Sequence, residues 1–232
     1  MLMKTGEQSR KLDRYTTLPV LLDLLRRRKI VLHDPLSWED RNDAEIILEY
    51  KKRKKIPKLF AVCFGIGHET IHHWKTYANG ISGCCIEFDE KKLLASFQGI
   101  KEVRWGDVSY KKIEEVRGNT IDLNCIPFIK RWPYRYENEF RILWEGETNQ
   151  NTIDIDIGLN SINKITLSQE MTDDVMTSIK DLLRKEMGGP PIKINMSTVY
   201  KNNRWIKLFK NKGITIGSTG SPINPAPGES HH

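Results

Sequence analysis

Two glutamates spaced by one residue, Glu137 and Glu139, stand between the basic residues Arg135 and Arg141. The alternation over residues 134–144 predicts a strand, and strand side chains repeat every two residues, so both carboxylates should share one face. Carboxylates so placed can act as general acid–base groups or stabilise developing positive charge. The same spacing also fits an exposed acidic face balanced by the two arginines.

A second pattern competes with the first. His68-Glu69-Thr70-Ile71-His72 matches HExxH. On one helix the two imidazoles would face the same way and could bind zinc, with Glu69 activating a water. The expected helix over 68–77 is short, however, and follows Gly65-Ile66-Gly67. A third ligand is not obvious. A solvated or stacked histidine cluster is the other reading, so the expected metal assignment is none, with His68 and His72 as the alternative.

The elements that would position these residues are legible in outline. Thr17 looks like an N-cap, followed by Pro19 and a helical stripe of Leu18, Leu21, Leu22 and Leu25. Strands are expected at 30–32, 59–64, 84–88, 103–110, 134–144, 152–157, 162–167 and 192–196. Helices are expected at 44–52, 68–77, 89–96 and, capped by Thr172, over the stripe Val175, Met176, Ile179, Leu182 and Leu183. The order is not a regular βαβ alternation. The expected fold class is α+β, a mixed and mainly antiparallel sheet with flanking helices. Residues 1–12 are expected to be a flexible N-terminus, 13–215 a single α+β domain, and 216–232 a disordered tail whose two final histidines suggest part of a tag.

Composition narrows the class of function. At 232 residues with 38% hydrophobic and 29% charged content, the chain can bury a core of its own. There is no apolar run long enough for a membrane span, and residues 1–11 lack the apolar core of a signal peptide, so a cytoplasmic protein with no membrane partner is expected. The four cysteines form no CxxC pair and read as buried thiols. No glycine-rich phosphate loop of Rossmann or Walker type is present. The net charge of +7 suits an acidic partner such as a nucleic acid or nucleotide, or a solvated basic surface. The basic run Lys51–Lys55 shares that ambiguity.

Several short segments, in order, resemble a prokaryotic family catalogued as domain of unknown function 2971. They are Arg14-Tyr15-Thr16, Asn42-Asp43-Ala44-Glu45, Cys63-Phe64-Gly65, Trp74-Lys75-Thr76-Tyr77-Ala78, Ile86-Glu87-Phe88-Asp89, Val108-Ser109-Tyr110, and Lys130 with Trp132 and Glu137-Asn138-Glu139-Phe140-Arg141. The resemblance spans residues 14–200. Ala44 stands where that family has proline, and Cys63 where it has serine.

This layout is in turn similar, more distantly, to the ADP-ribosyltransferase fold. The resemblance implies an enzyme that uses NAD as substrate and modifies a nucleic acid or protein, with a role as a toxin or in phage defence. It implies Glu137 and Glu139 as catalytic residues and Arg14, Tyr15, Trp74 and Tyr77 as NAD-binding residues. Asn42, Asp43, Glu45 and Arg141 are further pocket candidates. The rival readings are a zinc hydrolase built on the HExxH and a non-catalytic nucleic-acid-binding module.

Overall fold

The computed structural model describes residues 9–188 and 191–211. The N-terminus before Ser9, Gly189 and the tail 216–232 lie outside the described residues. The chain divides into two compact units, Met1–Val199 and Tyr200–His232.

In chain order the first unit holds β1 (Lys11–Thr17), α1 (Leu18–Arg27), β2 (Lys29–His33), α2 (Arg41–Lys54), β3 (Lys58–Ile66) and α3 (Ile71–Tyr77). It continues with β4 (Gly83–Asp89), α4 (Glu90–Ala95), β5 (Val103–Asp107), β6 (Ser109–Lys111), α5 (Ile113–Arg117) and β7 (Ile129–Arg131). It closes with β8 (Glu139–Gly146), β9 (Thr152–Asp156), β10 (Ile162–Leu167), α6 (Asp173–Met187) and β11 (Lys193–Met196). The second unit contains α7 (Asn203–Asn211), which the sequence reading did not anticipate.

Nine of the strands form one sheet in the order β11-β10-β4-β1-β3-β2-β9, with β8 on β3 and β5 on β8. Every pairing in this sheet is antiparallel except β10 with β11. The expected α+β class with a mixed, mainly antiparallel sheet therefore holds. α1 and α6 bury Leu21, Leu25, Leu183 and Met187 in one cluster with Leu12, Ile86, Phe88 and Phe140. α2 buries Ile47 and Tyr50 in a separate cluster with Leu59, Ala61 and Leu143. That packing fixes where the start of α2 falls, and the start of α2 carries two of the acidic residues considered below.

One irregularity of the sheet matters for function. β1 pairs with β4 along its whole length, from Lys11 to Thr17. Its pairing with β3 is confined to Leu12 with Ile66 and Asp13 with Gly65. Beyond those two pairs the strands part, and the carbonyl of Cys63 accepts from Arg14 Nη1 at 3.0 Å. A cleft opens there.

Several sequence expectations need correction. Cys125 is exposed rather than buried, and the strand expected over 103–110 breaks at Val108 into β5 and β6, which lie in different sheets. Residues 132–137 form a 3-10 helix, so the strand expected over 134–144 begins only at Glu139. Pro133 explains the shift, since it lacks the N–H that a strand ladder needs and is suited to a first helical turn. The expected helix over 68–77 begins at Ile71, where the Thr70 side chain accepts from the His73 N–H. His68 and Glu69 stay in the preceding loop.

Candidate active site

The cleft has a volume of about 660 Å³ and takes its walls from β1, the start of α2, β3, α3 and the segment Lys130–Glu139. Arg14, Tyr15, Asp43, Tyr77, Glu137 and Glu139 all line it. The early arginine and the late glutamates therefore converge, although more than a hundred residues separate them in sequence.

Glu137 and Glu139 reach the cleft by a route that the strand reading missed. Glu137 ends the 3-10 helix, and Asn138 follows with φ of 42° in the left-handed region. Asparagine tolerates that conformation better than most residues. It is pinned on both sides, since Asn138 Nδ2 donates to the Ile66 carbonyl at 2.6 Å and the Ile66 N–H donates to the Asn138 carbonyl at 2.7 Å. The turn brings both carboxylates against a single ammonium group. Lys130 Nζ lies 2.7 Å from Glu137 Oε2 and 3.5 Å from Glu139 Oε2. Neither glutamate is an exposed acidic face, for they are only 5% and 6% accessible.

The four oxygens of the pair have different surroundings. Glu137 Oε1 accepts from the Tyr77 hydroxyl at 2.7 Å. Glu139 Oε1 accepts from Arg141 Nε at 2.8 Å. Burial works against ionisation of Glu139, but Arg141 and Lys130 outweigh it and hold its carboxyl down at about 2. The Cys63 thiol hydrogen bonds to the same carboxylate, and burial pushes that thiol well above its ordinary value. It therefore stays protonated and donates. Burial likewise pushes the Tyr77 hydroxyl upward, with Glu137 adding to the effect, so it too remains a donor.

Arg141 is wholly buried and does not line the cleft. Its guanidinium bridges Glu139 and Asp43 from behind, with Nη2 at 2.7 Å from Asp43 Oδ2. Asp43 sits in the first turn of α2, where Asp40 caps the helix through Oδ1 on the Asn42 and Asp43 N–H groups. Burial raises the Asp43 carboxyl despite Arg141.

His73 forms part of the wall beside these groups. Its ring stacks on Tyr15 with centroids 4.9 Å apart and planes 8° from parallel. Its Nε2 meets the Glu137 carbonyl at 3.0 Å, and because a carbonyl only accepts, Nε2 carries the proton. Burial lowers the His73 value, so the ring is held neutral. The close fit depends on Gly65, where an added Cβ would stand 3.2 Å from His73 Nε2.

Some sequence candidates fall elsewhere. Trp74 is buried at 3% exposure behind Tyr15, in a cluster with Ala78 and Cys85, and donates Nε1 to Glu69. It is a core residue and does not line the cleft. Asn42 and Glu45 are exposed on α2 and face away, because helical spacing turns Asp43 and Ala44 inward instead. The zinc reading fails on geometry. His72 lines the main cleft, whereas His68 lines a different pocket and Glu69 is taken by Trp74 and Ser197. No group of ligating side chains suited to a metal occurs among the described residues.

Lys130, Asp40, His73 and Tyr110 were not among the site candidates. The Tyr110 hydroxyl accepts from the Glu139 N–H at 2.9 Å. Lys130 had a signal, since it occurs in the motif series, but a single lysine in a motif gives no hint of its depth.

No family model matches the chain, and no curated protein matches it. Among solved structures, that of Thermus sp. 2.9 DarT in complex with NAD+ is similar at TM-score 0.43 and 13% identity, over 83% of this chain and 98% of the other. The same protein in complex with ADP-ribosylated ssDNA gives TM-score 0.43 and 14% identity, over 84% and 98%. Likeness at this level assigns neither a family nor an activity. Among the described residues no helix is long and apolar enough to cross a membrane.

Proposed function

We propose that this protein is an NAD-dependent ADP-ribosyltransferase, with the cleft between β1 and β3 as its active site. The observation that carries the reading is that Arg14 and Glu139 line one cleft. A volume of about 660 Å³ lies within the range of roughly 300–1,000 Å³ common to ligand pockets.

In this reading Arg14 neutralises the pyrophosphate of NAD, and the rings of Tyr15 and Tyr77 offer apolar faces to the nicotinamide. The bond between nicotinamide and the ribose carbon breaks, and nicotinamide leaves neutral with the bonding electrons. Glu139, ionised well below neutral pH, stabilises the positive charge that develops on the ribose. A nucleophilic atom of the acceptor then bonds to that carbon. Its proton passes to Glu137 or to water.

The acceptor is more consistent with a nucleic acid than with a protein. The net charge is +7, and α2 ends in Lys51, Lys52, Arg53 and Lys54. At about 1.5 Å per residue that basic end lies roughly 17 Å along the helix from Asp43. A role as a toxin or in phage defence accords with such an activity. Incubation of the purified protein with labelled NAD and with single-stranded DNA, RNA or protein tests the reading, through nicotinamide release and label transfer.

A further inference from the structure

Lys130 is the least expected group in the site. The residue is 6% accessible, and its ammonium lies 2.7 Å from Glu137, 3.5 Å from both Glu139 and Asp43, and 3.6 Å from Asp40. Four carboxylates thus converge on one cation. The ring of Tyr134 covers it, with its centroid 4.8 Å from Nζ. Asp40 Oδ2 is buried and has no hydrogen-bond partner, so its nearest compensation is Lys130.

We propose that Lys130 is a positioning residue that gives the four carboxylates a common counter-charge and draws Glu137 and Glu139 to one side of the cleft. The inference rests on the transferase reading for its effect on rate, but the electrostatic claim stands independently.

The reasoning starts from repulsion. Like charges at these separations cannot all ionise without a counter-charge, and a lost counter-charge shifts the group as a unit. From behind, Arg141 answers Glu139 and Asp43, and among the described residues its hydrogen bonds go to these two and the Pro127 carbonyl, not to Glu137 or Asp40. The other titratable or polar groups that face the cluster are Arg14 from β1, Cys63 from β3, His72, the neutral His73 and Tyr77 from α3, and Tyr110 from β6. Arg14 is the only fixed cation among these, and its hydrogen bond goes to the Cys63 carbonyl rather than to a carboxylate. Burial opposes the charge on Lys130, but Glu139, Glu137 and Asp43 overcome it and hold the ammonium charged well above neutral pH. The cluster and the lysine sustain each other.

The test compares the wild type with Lys130→Met, Lys130→Arg and Asp40→Asn. Carboxyl titration followed by 13C NMR reports the cluster directly, and the pH profile of nicotinamide release reports its consequence. In Lys130→Met the midpoints of Glu139 and Asp43 should rise by about 1–3 pH units, the shift expected when an opposite charge within 4–6 Å is removed. The acid limb of nicotinamide release should rise with them, and Lys130→Arg should return it toward the wild-type position. Asp40→Asn keeps a good helix cap and removes one anion, so the remaining midpoints should fall. This variant keeps the test open should Lys130→Met fail to fold. Unmoved midpoints in a folded Lys130→Met, or in Asp40→Asn where only that variant folds, would overturn the inference. Shifted midpoints in a protein that releases no nicotinamide would support it while refuting the transferase reading.

Discussion

Arg141 and Asp43 form a two-pronged ion pair, with Nη1 to Oδ1 at 3.1 Å and Nη2 to Oδ2 at 2.7 Å, across 98 residues of sequence. The pair ties the first turn of α2 to the middle of β8, and the Nε of the same guanidinium holds Glu139. Removing the arginine strands two buried carboxylates. Arg141→Met should therefore cost about 3–5 kcal/mol of stability at pH 7. Urea unfolding of the two proteins measures this, and a cost below about 1 kcal/mol would contradict a fully engaged pair.

Tyr77 anchors Glu137 by a hydrogen bond to a charged acceptor. Such bonds are worth about 1.5–3 kcal/mol, which corresponds to roughly 10- to 100-fold in rate. Tyr77→Phe should lower nicotinamide release by about that factor, and lower stability as well because the buried Glu137 oxygen loses its donor. Unchanged turnover would place Glu137 outside the reaction.

Trp74 separates core packing from ligand stacking. Because it lies behind Tyr15 rather than in the cleft, Trp74→Leu should lower stability by about 2–4 kcal/mol, toward the range of aromatic truncations. The affinity of the folded fraction for NAD should be unaffected. Calorimetric titration of NAD into the variant below its melting temperature checks this, and a tenfold weaker affinity would restore Trp74 as a binding residue.

Asp13 gives stability a pH dependence. Burial, with Glu87 close by, pushes its carboxyl from an ordinary 3.8 up to about 7. The folded state therefore holds this proton more tightly than the unfolded chain does. The contribution is fully present below 3.8 and is lost as pH rises through 7. Asp13→Asn should raise the melting temperature at pH 8 and leave it unchanged at pH 3.5. At about 1.4 kcal/mol per pH unit the gain at pH 8 is a few kcal/mol at most. Glu139, held down at about 2, works in the opposite direction, so its contribution is present above an ordinary 4.5 and fades as pH falls toward 2. Equal melting temperatures for Asp13→Asn and wild type at pH 8 would contradict the burial of Asp13.

Much of the fold was legible because periodicity reports burial. The leucine stripe of α1 and the alternating isoleucines of β9 gave both elements directly. The split between β1 and β3 was not legible, because it depends on where pairing stops between residues some fifty positions apart. The strand reading of 134–137 failed because alternation outweighed Pro133. Yet Glu137 and Glu139 still face one cleft, since the left-handed turn at Asn138 restores the convergence that the strand had promised. Trp74, Asn42 and Glu45 were assigned by motif position alone, and motif position says nothing about which side of a helix faces inward.

The central claim is that Glu139 stabilises the charge formed when NAD loses nicotinamide. The most direct measurement is release of labelled nicotinamide by the wild type and by Glu139→Gln at pH 7, with both shown to be folded. Glutamine keeps the shape and loses the charge, so release should fall by about 100-fold or more, in the range typical of a lost electrostatic contact at a reacting centre. Equal release by the two proteins, or none by the wild type, would contradict the account.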